Sequence, residues 1–77
     1  MSLYEDLRLV KIVLLCIKKA GGTIHYTPLY KNTLNQCGTF PTFKRILKYL
    51  MENGHIEKMN RGKYKLTEKG ENFLKVL

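Results

Sequence analysis

Lys44, Arg45 and Lys48 fall within little more than one helical turn, a spacing that puts all three on one side of a helix with Thr42 and Tyr49 on its shoulders. An arginine guanidinium can pair with guanine O6 and N7 together, so Arg45, with the Thr42 hydroxyl, is a candidate for contact with base edges. Lys44 and Lys48 suit phosphates, which position a protein without specifying sequence. A second basic group, Asn60, Arg61, Lys63 and Lys65, surrounds Gly62. A glycine there lets backbone approach closely, so Arg61 suits a phosphate or a narrow minor groove, with Lys63 and Lys65 toward a sugar-phosphate backbone and Asn60 assisting. The chain carries 14 Lys+Arg against 6 Asp+Glu, a net charge of +8, the electrostatic signature of a polyanion binder. No acid occurs between Leu7 and Met51.

Catalysis fails on inventory. His25 and His55 stand apart, with no Ser/His/Asp pattern, no paired buried carboxylates and no phosphate-cradling glycine loop, so an enzyme is not expected. Cys16 and Cys37 form no CxxC and have no ligand-spaced histidine, so neither a metal nor another cofactor is expected. Both read as reduced structural thiols, with a Cys16–Cys37 disulfide left open. Tyr4, Tyr26, Tyr30, Tyr49 and Tyr64 are scattered over different elements rather than lined along one groove, which argues against single-stranded nucleic acid. Phe40 either touches a thymine methyl or packs under a turn, and packing is the expectation. The apolar run from Ile12 to Ile17 is far below the roughly 18 residues needed to cross a bilayer, and no signal peptide is evident, so a cytoplasmic protein without membrane association is expected.

The elements that must position these side chains follow from periodicity and capping. Residues 3–20 carry Leu3, Leu7, Val10, Leu14 and Ile17 at helical spacing, and Gly21-Gly22 ends that helix. Leu9, Ile12, Val13, Cys16 and Ala20 widen its apolar arc to roughly 220°, against about 100–140° for one buried face, so the helix is expected to pack against two things. Thr23-Ile24-His25 reads as a short strand. Thr27 followed by Pro28 is a cap-and-proline start that predicts a second helix over 28–34, with Asn35 to Gly38 as a turn. Thr39 and Pro41 repeat the signal for a third helix over 40–52, whose inward set is Phe43, Ile46, Leu47 and Leu50. Strands over 56–60 and 63–66 about Arg61-Gly62 make a hairpin, and Thr67 caps a last helix over 68–77 that ends in Phe73, Leu74, Val76 and Leu77.

Two helices joined by a short glycine-containing turn, followed by a hairpin, match the helix-turn-helix connection with a wing. The stretch Ile46 to Lys58, with Leu50, Gly54, Ile56 and Glu57 in it, and then Tyr64, Leu66, Thr67 and Gly70, resembles the winged helix-turn-helix transcription regulators of bacteria and archaea. Thr67 to Gly70 is also similar to small archaeal DNA-binding proteins whose winged helix continues into a dimerising coiled coil. The resemblance implies an α+β fold of a three-helix core, a short strand, a β-hairpin wing and a C-terminal helix, forming one DNA-binding domain over residues 1–77. It also implies binding of double-stranded DNA for transcriptional control, with the third helix in the major groove and the wing, about 56–66, on flanking backbone or minor groove. The alternatives are a non-specific architectural DNA-binding protein and a winged-helix adaptor for protein or RNA. No small-molecule ligand is evident. The apolar excess of the first and last helices leads to a homodimer joined through them.

Overall fold

The computed structural model describes residues 3–77, with side chains from Asp6 onward. The side chains of Leu3 and Tyr4 lie outside the described residues. In chain order come α1 (Leu3–Lys19), β1 (Thr23–His25), α2 (Tyr26–Cys37), α3 (Phe40–Glu52), β2 (Ile56–Lys58), a single 3-10 turn (Asn60–Gly62), β3 (Lys63–Leu66) and α4 (Glu68–Val76). The three strands form one antiparallel sheet in the order β1-β3-β2. This is the expected α+β arrangement, with the hairpin of β2 and β3 as the wing.

The core fills the space between the helices and one face of the sheet. From α1 it takes Leu9, Val10, Val13, Leu14 and Ile17, and from α3 the inward set Phe43, Ile46, Leu47 and Leu50. Ile24, Leu29, Ile56, Tyr64, Leu66 and Leu74 close it. The wide apolar arc of α1 is thus largely covered within the chain, and Ile12, Leu15 and Cys16 remain half-buried along one edge. The strongly apolar end expected of α4 is also reduced. Leu74 is buried and the Phe73 ring stacks on His55 at 4.4 Å, which leaves Val76, 79% exposed, as its outward apolar residue.

The second helix differs from expectation at both ends. It starts two residues early, at Tyr26, with His25 at the cap position and no side-chain cap, so Thr27 lies inside the first turn and is not the N-cap. Pro28 does not fix the register because every N–H of a first turn lacks an intrahelical partner, and proline fits any of those positions. At the other end the helix continues through Asn35, Gln36 and Cys37. Leu29, Thr33 and Cys37 recur every four residues and are all buried, so the turn-like polar residues occupy only the outer face. The buried Thr33 hydroxyl is satisfied by donating to the Leu29 carbonyl at 2.7 Å. Strand β2 ends at Lys58 rather than residue 60, and the Met59 N–H closes the hairpin on the Lys63 carbonyl at 2.7 Å.

A tight junction fixes the wing against α4. Thr67 Oγ1 donates to the carbonyls of Gly54 (2.6 Å) and His55 (3.0 Å) and accepts from the Gly70 N–H at 3.0 Å. A Cβ on Gly70 would overlap the His55 carbonyl oxygen and press on Leu66. The Thr-x-x-Gly spacing therefore joins the cap of α4 to the end of the α3–β2 turn. Both cysteines are free thiols, and burial pushes the Cys37 thiol up from its ordinary value although Arg8 pulls it down.

Candidate nucleic-acid interface

The start of α3 is set by Thr39, whose Oγ1 accepts from the Thr42 N–H at 3.4 Å and donates to Thr42 Oγ1 at 2.9 Å. Thr42 is thus half-buried in the cap, with its own hydroxyl proton left to donate. Along the outer face Lys44, Arg45, Lys48 and Tyr49 are all exposed, as the helical spacing requires. They divide by flank. Arg45 and Tyr49 face the side where α1 lies, and together with Asp6, Leu7, Val10 and Ile46 they line a cleft of about 190 Å³. Lys44 lies on the opposite flank, its Nζ 5.4 Å from the centre of the Phe40 ring. Lys48 points outward and sits 3.7 Å from Glu52, a pair so exposed that it holds neither side chain firmly.

Arg45 is already engaged. Its two terminal nitrogens reach the two carboxylate oxygens of Asp6 at 3.1 and 3.3 Å. A guanidinium held bidentately by a carboxylate has to leave it before it can pair bidentately with guanine. Sequence spacing assigns Arg45 to the solvent face correctly but carries no sign that α1 brings Asp6 beside it.

On the wing, Arg61 occupies the tip in a left-handed conformation, φ 63° and ψ 34°, and is exposed together with Asn60. Gly62 follows at φ 71°, a conformation that suits glycine. Lys63 and Lys65 share one face of β3, with the buried Tyr64 and Leu66 on the other. They are not equivalent. Lys63 is half-buried opposite His25, whereas Lys65 lies mid-sheet, in register with Thr23 on one side and Glu57 on the other.

The tyrosines are not scattered as the sequence suggests. Tyr26, Tyr30 and Tyr64 meet Phe40 and Phe43 in one cluster between the start of α2, the start of α3 and the root of the wing. Tyr26 stacks on Tyr30 at 6.3 Å, packs edge-on to Phe43 at 5.7 Å and lies 6.2 Å from Tyr64. Burial, reinforced by Tyr30, pushes the Tyr26 phenol up, and burial with Tyr26 does the same for Tyr64, so both stay neutral donors near pH 7. The i, i+4 spacing of Tyr26 and Tyr30 puts the two rings on one face of α2 only because the helix begins at Tyr26. Tyr49 stands outside this cluster, 42% exposed, with its ring 6.3 Å from His55.

Among the described residues no group of three or more His, Cys, Asp or Glu side chains is placed to hold a metal ion. No helix among them is long and apolar enough to cross a membrane. The arrangement is an exposed basic and polar helix face flanked by a basic hairpin, suited to a polyanion with grooves. Neither a curated protein nor a solved structure matches the sequence. The winged helix-turn-helix family profile matches residues 29–77, from the middle of α2 through α3, the wing and α4, and the chain belongs to that family of DNA-binding proteins.

Proposed function

We propose that the chain is a sequence-specific double-stranded DNA-binding protein of transcriptional control, with α3 in the major groove and the wing on flanking backbone or minor groove. The observation that carries this reading is the outer face of α3, where Lys44, Arg45, Lys48 and Tyr49 are exposed and the half-buried Thr42 lies in the first turn. The N-terminal residues of such a helix reach base edges, so Thr42 and Arg45 read bases while Lys44 and Lys48 hold phosphates. Asn60, Arg61 and Lys63 extend the contact to the adjoining backbone, and Lys65 adds to the positive potential of that face. Selection of bound sites from random duplex DNA, followed by competition with scrambled duplex, tests it. A regulator prefers its selected site by about 10³-fold or more.

One observation favours a second reading. With Arg45 held by Asp6, the outward charges are mainly the phosphate-class lysines, which is what a non-specific architectural binder needs. Equal affinity for selected and scrambled duplexes establishes that reading instead.

The protein acts as a homodimer joined through α1 and α4. These helices pack on each other, and the half-buried Ile12, Leu15 and Cys16 of α1, with the exposed Val76 of α4 and the half-buried Leu77 that follows it, supply the contact. The α1 edge also borders an open cleft of about 480 Å³ toward α2. A two-fold pair would place two α3 helices about 34 Å apart, one DNA turn, so the site is an inverted repeat with half-sites about 10 bp apart or a multiple of that.

A further inference from the structure

Phe40 is the first residue of α3 and is 41% exposed, not packed beneath the turn. Its ring is nevertheless held. Tyr30 meets it edge-on at 5.3 Å and 86°, and Tyr30 in turn packs edge-on to Phe43, fully buried in the core, at 5.3 Å. Behind Tyr30 stand Tyr26 and Tyr64, so the exposed ring is the outermost member of an aromatic column rooted in the core. Pro41 stiffens the turn that carries it, because its own φ is fixed and its ring restricts the residue before it. Such bracing lowers the ordering cost of using the ring in a contact.

The surroundings of the ring specify its occupant. Lys44 lies one helical turn on, with its ammonium over one face of the ring, 5.4 Å from the ring centre, so positive charge borders the rest of the exposed apolar surface. A partner that satisfies both offers an anion within reach of an apolar group, and a nucleic-acid duplex supplies that anion as phosphate. In the major groove the C5-methyl of thymine is the apolar group that an unmodified base pair presents, the other major-groove atoms being hydrogen-bond donors and acceptors. Thr42, Lys44 and Arg45 account for donors to bases and phosphates, but no other exposed group in the first turn of α3 except Pro41 offers apolar surface.

We propose that Phe40 is a specificity-determining residue that reads a thymine methyl in the major groove, braced by Tyr30 and flanked by the phosphate-bound Lys44. This rests on the reading in which α3 enters that groove. The chemistry is shape and apolar burial, so the preference is for the methyl itself and not for the hydrogen-bonding pattern of the A·T pair. A 5-methylcytosine at the same place would satisfy the ring equally.

The test replaces each thymine of the selected duplex, one at a time, by deoxyuridine, which removes the methyl and nothing else. Wild-type protein is expected to lose about fourfold in affinity, the factor a single buried methyl represents, at one or two positions in each half-site and to ignore the rest. Phe40→Ala is expected to bind thymine and deoxyuridine versions equally, with the salt dependence of binding unchanged because no charge is lost. The deoxyuridine series uses wild-type protein and so does not depend on the variant folding. Tight, sequence-selective binding that tolerates deoxyuridine at every position overturns the inference and leaves the DNA reading standing. A Phe40→Ala protein that still discriminates thymine from deoxyuridine as wild type does also overturns it. Absence of duplex binding by the wild-type protein overturns both.

Discussion

The bidentate pair between Arg45 and Asp6 decides how the residues of α3 can be used. Its side chains are 46% and 32% exposed, so the pair contributes at most about 1 kcal/mol to stability. In the field of a duplex the guanidinium can exchange one carboxylate for a guanine edge, and the cost of that exchange is small. Asp6→Asn is therefore expected to leave stability within about 1 kcal/mol of wild type and to strengthen duplex binding by up to about fivefold. Arg45→Ala should weaken binding to the preferred site by about 1–3 kcal/mol and relax preference at one base pair. Lys63→Ala, by contrast, should weaken all duplexes alike and make the salt dependence shallower by about one unit of slope. Fluorescence anisotropy on specific and random duplexes separates these outcomes, and equal effects of Arg45→Ala on both would remove it from base recognition.

Two elements carry opposed demands. The wing tip holds Arg61 at φ 63°, a conformation that costs a non-glycine residue about 1–2 kcal/mol. Strain of this kind at an exposed tip fits a residue kept for contact. Arg61→Gly relieves it, partly offset by the looser unfolded chain, so stability should stay level or rise by up to about 1 kcal/mol while duplex binding falls. Gly70→Ala meets the opposite limit. The added methyl collides with the His55 carbonyl, and a shift of the denaturation midpoint equivalent to about 1–3 kcal/mol of destabilisation is expected. How far these elements were legible depended on whether local chemistry alone decides them. The four inward residues of α3 and the Thr67 cap follow from spacing and hold in the fold. The start of α2 does not, because Pro28 suits any position of a first turn. Asp6 beside Arg45, and Phe40 on Tyr30, are contacts between elements, for which no local pattern in the sequence gives a sign.

At the scale of the molecule, His55 links the wing, α3 and α4. It is 7% exposed, its ring stacks on Phe73, and its buried Nδ1 has no hydrogen-bond partner among the described residues. Burial first, and then the charge of Lys69, lower its pKa below the ordinary 6.5, against a smaller opposing backbone contact with Lys69. The unfolded chain therefore binds this proton more readily than the folded one, so stability is full above about pH 6.5 and declines as pH falls from there toward the folded value. Urea midpoints measured between pH 7.5 and about 5 should show that decline, and His55→Leu, which keeps apolar bulk without a titrating group, should flatten it. The dimer is tested at this scale as well: light scattering at micromolar concentration should give twice the chain mass, and a monomer there would remove the paired half-site geometry. Most direct for the central claim is the salt dependence of duplex binding, since neutralised phosphates release counterions whatever the sequence bound. With about five phosphates contacted by each subunit through α3 and the wing, log K against log salt should fall with a slope near −4 to −5 per subunit, and a flat response would contradict DNA binding by this face.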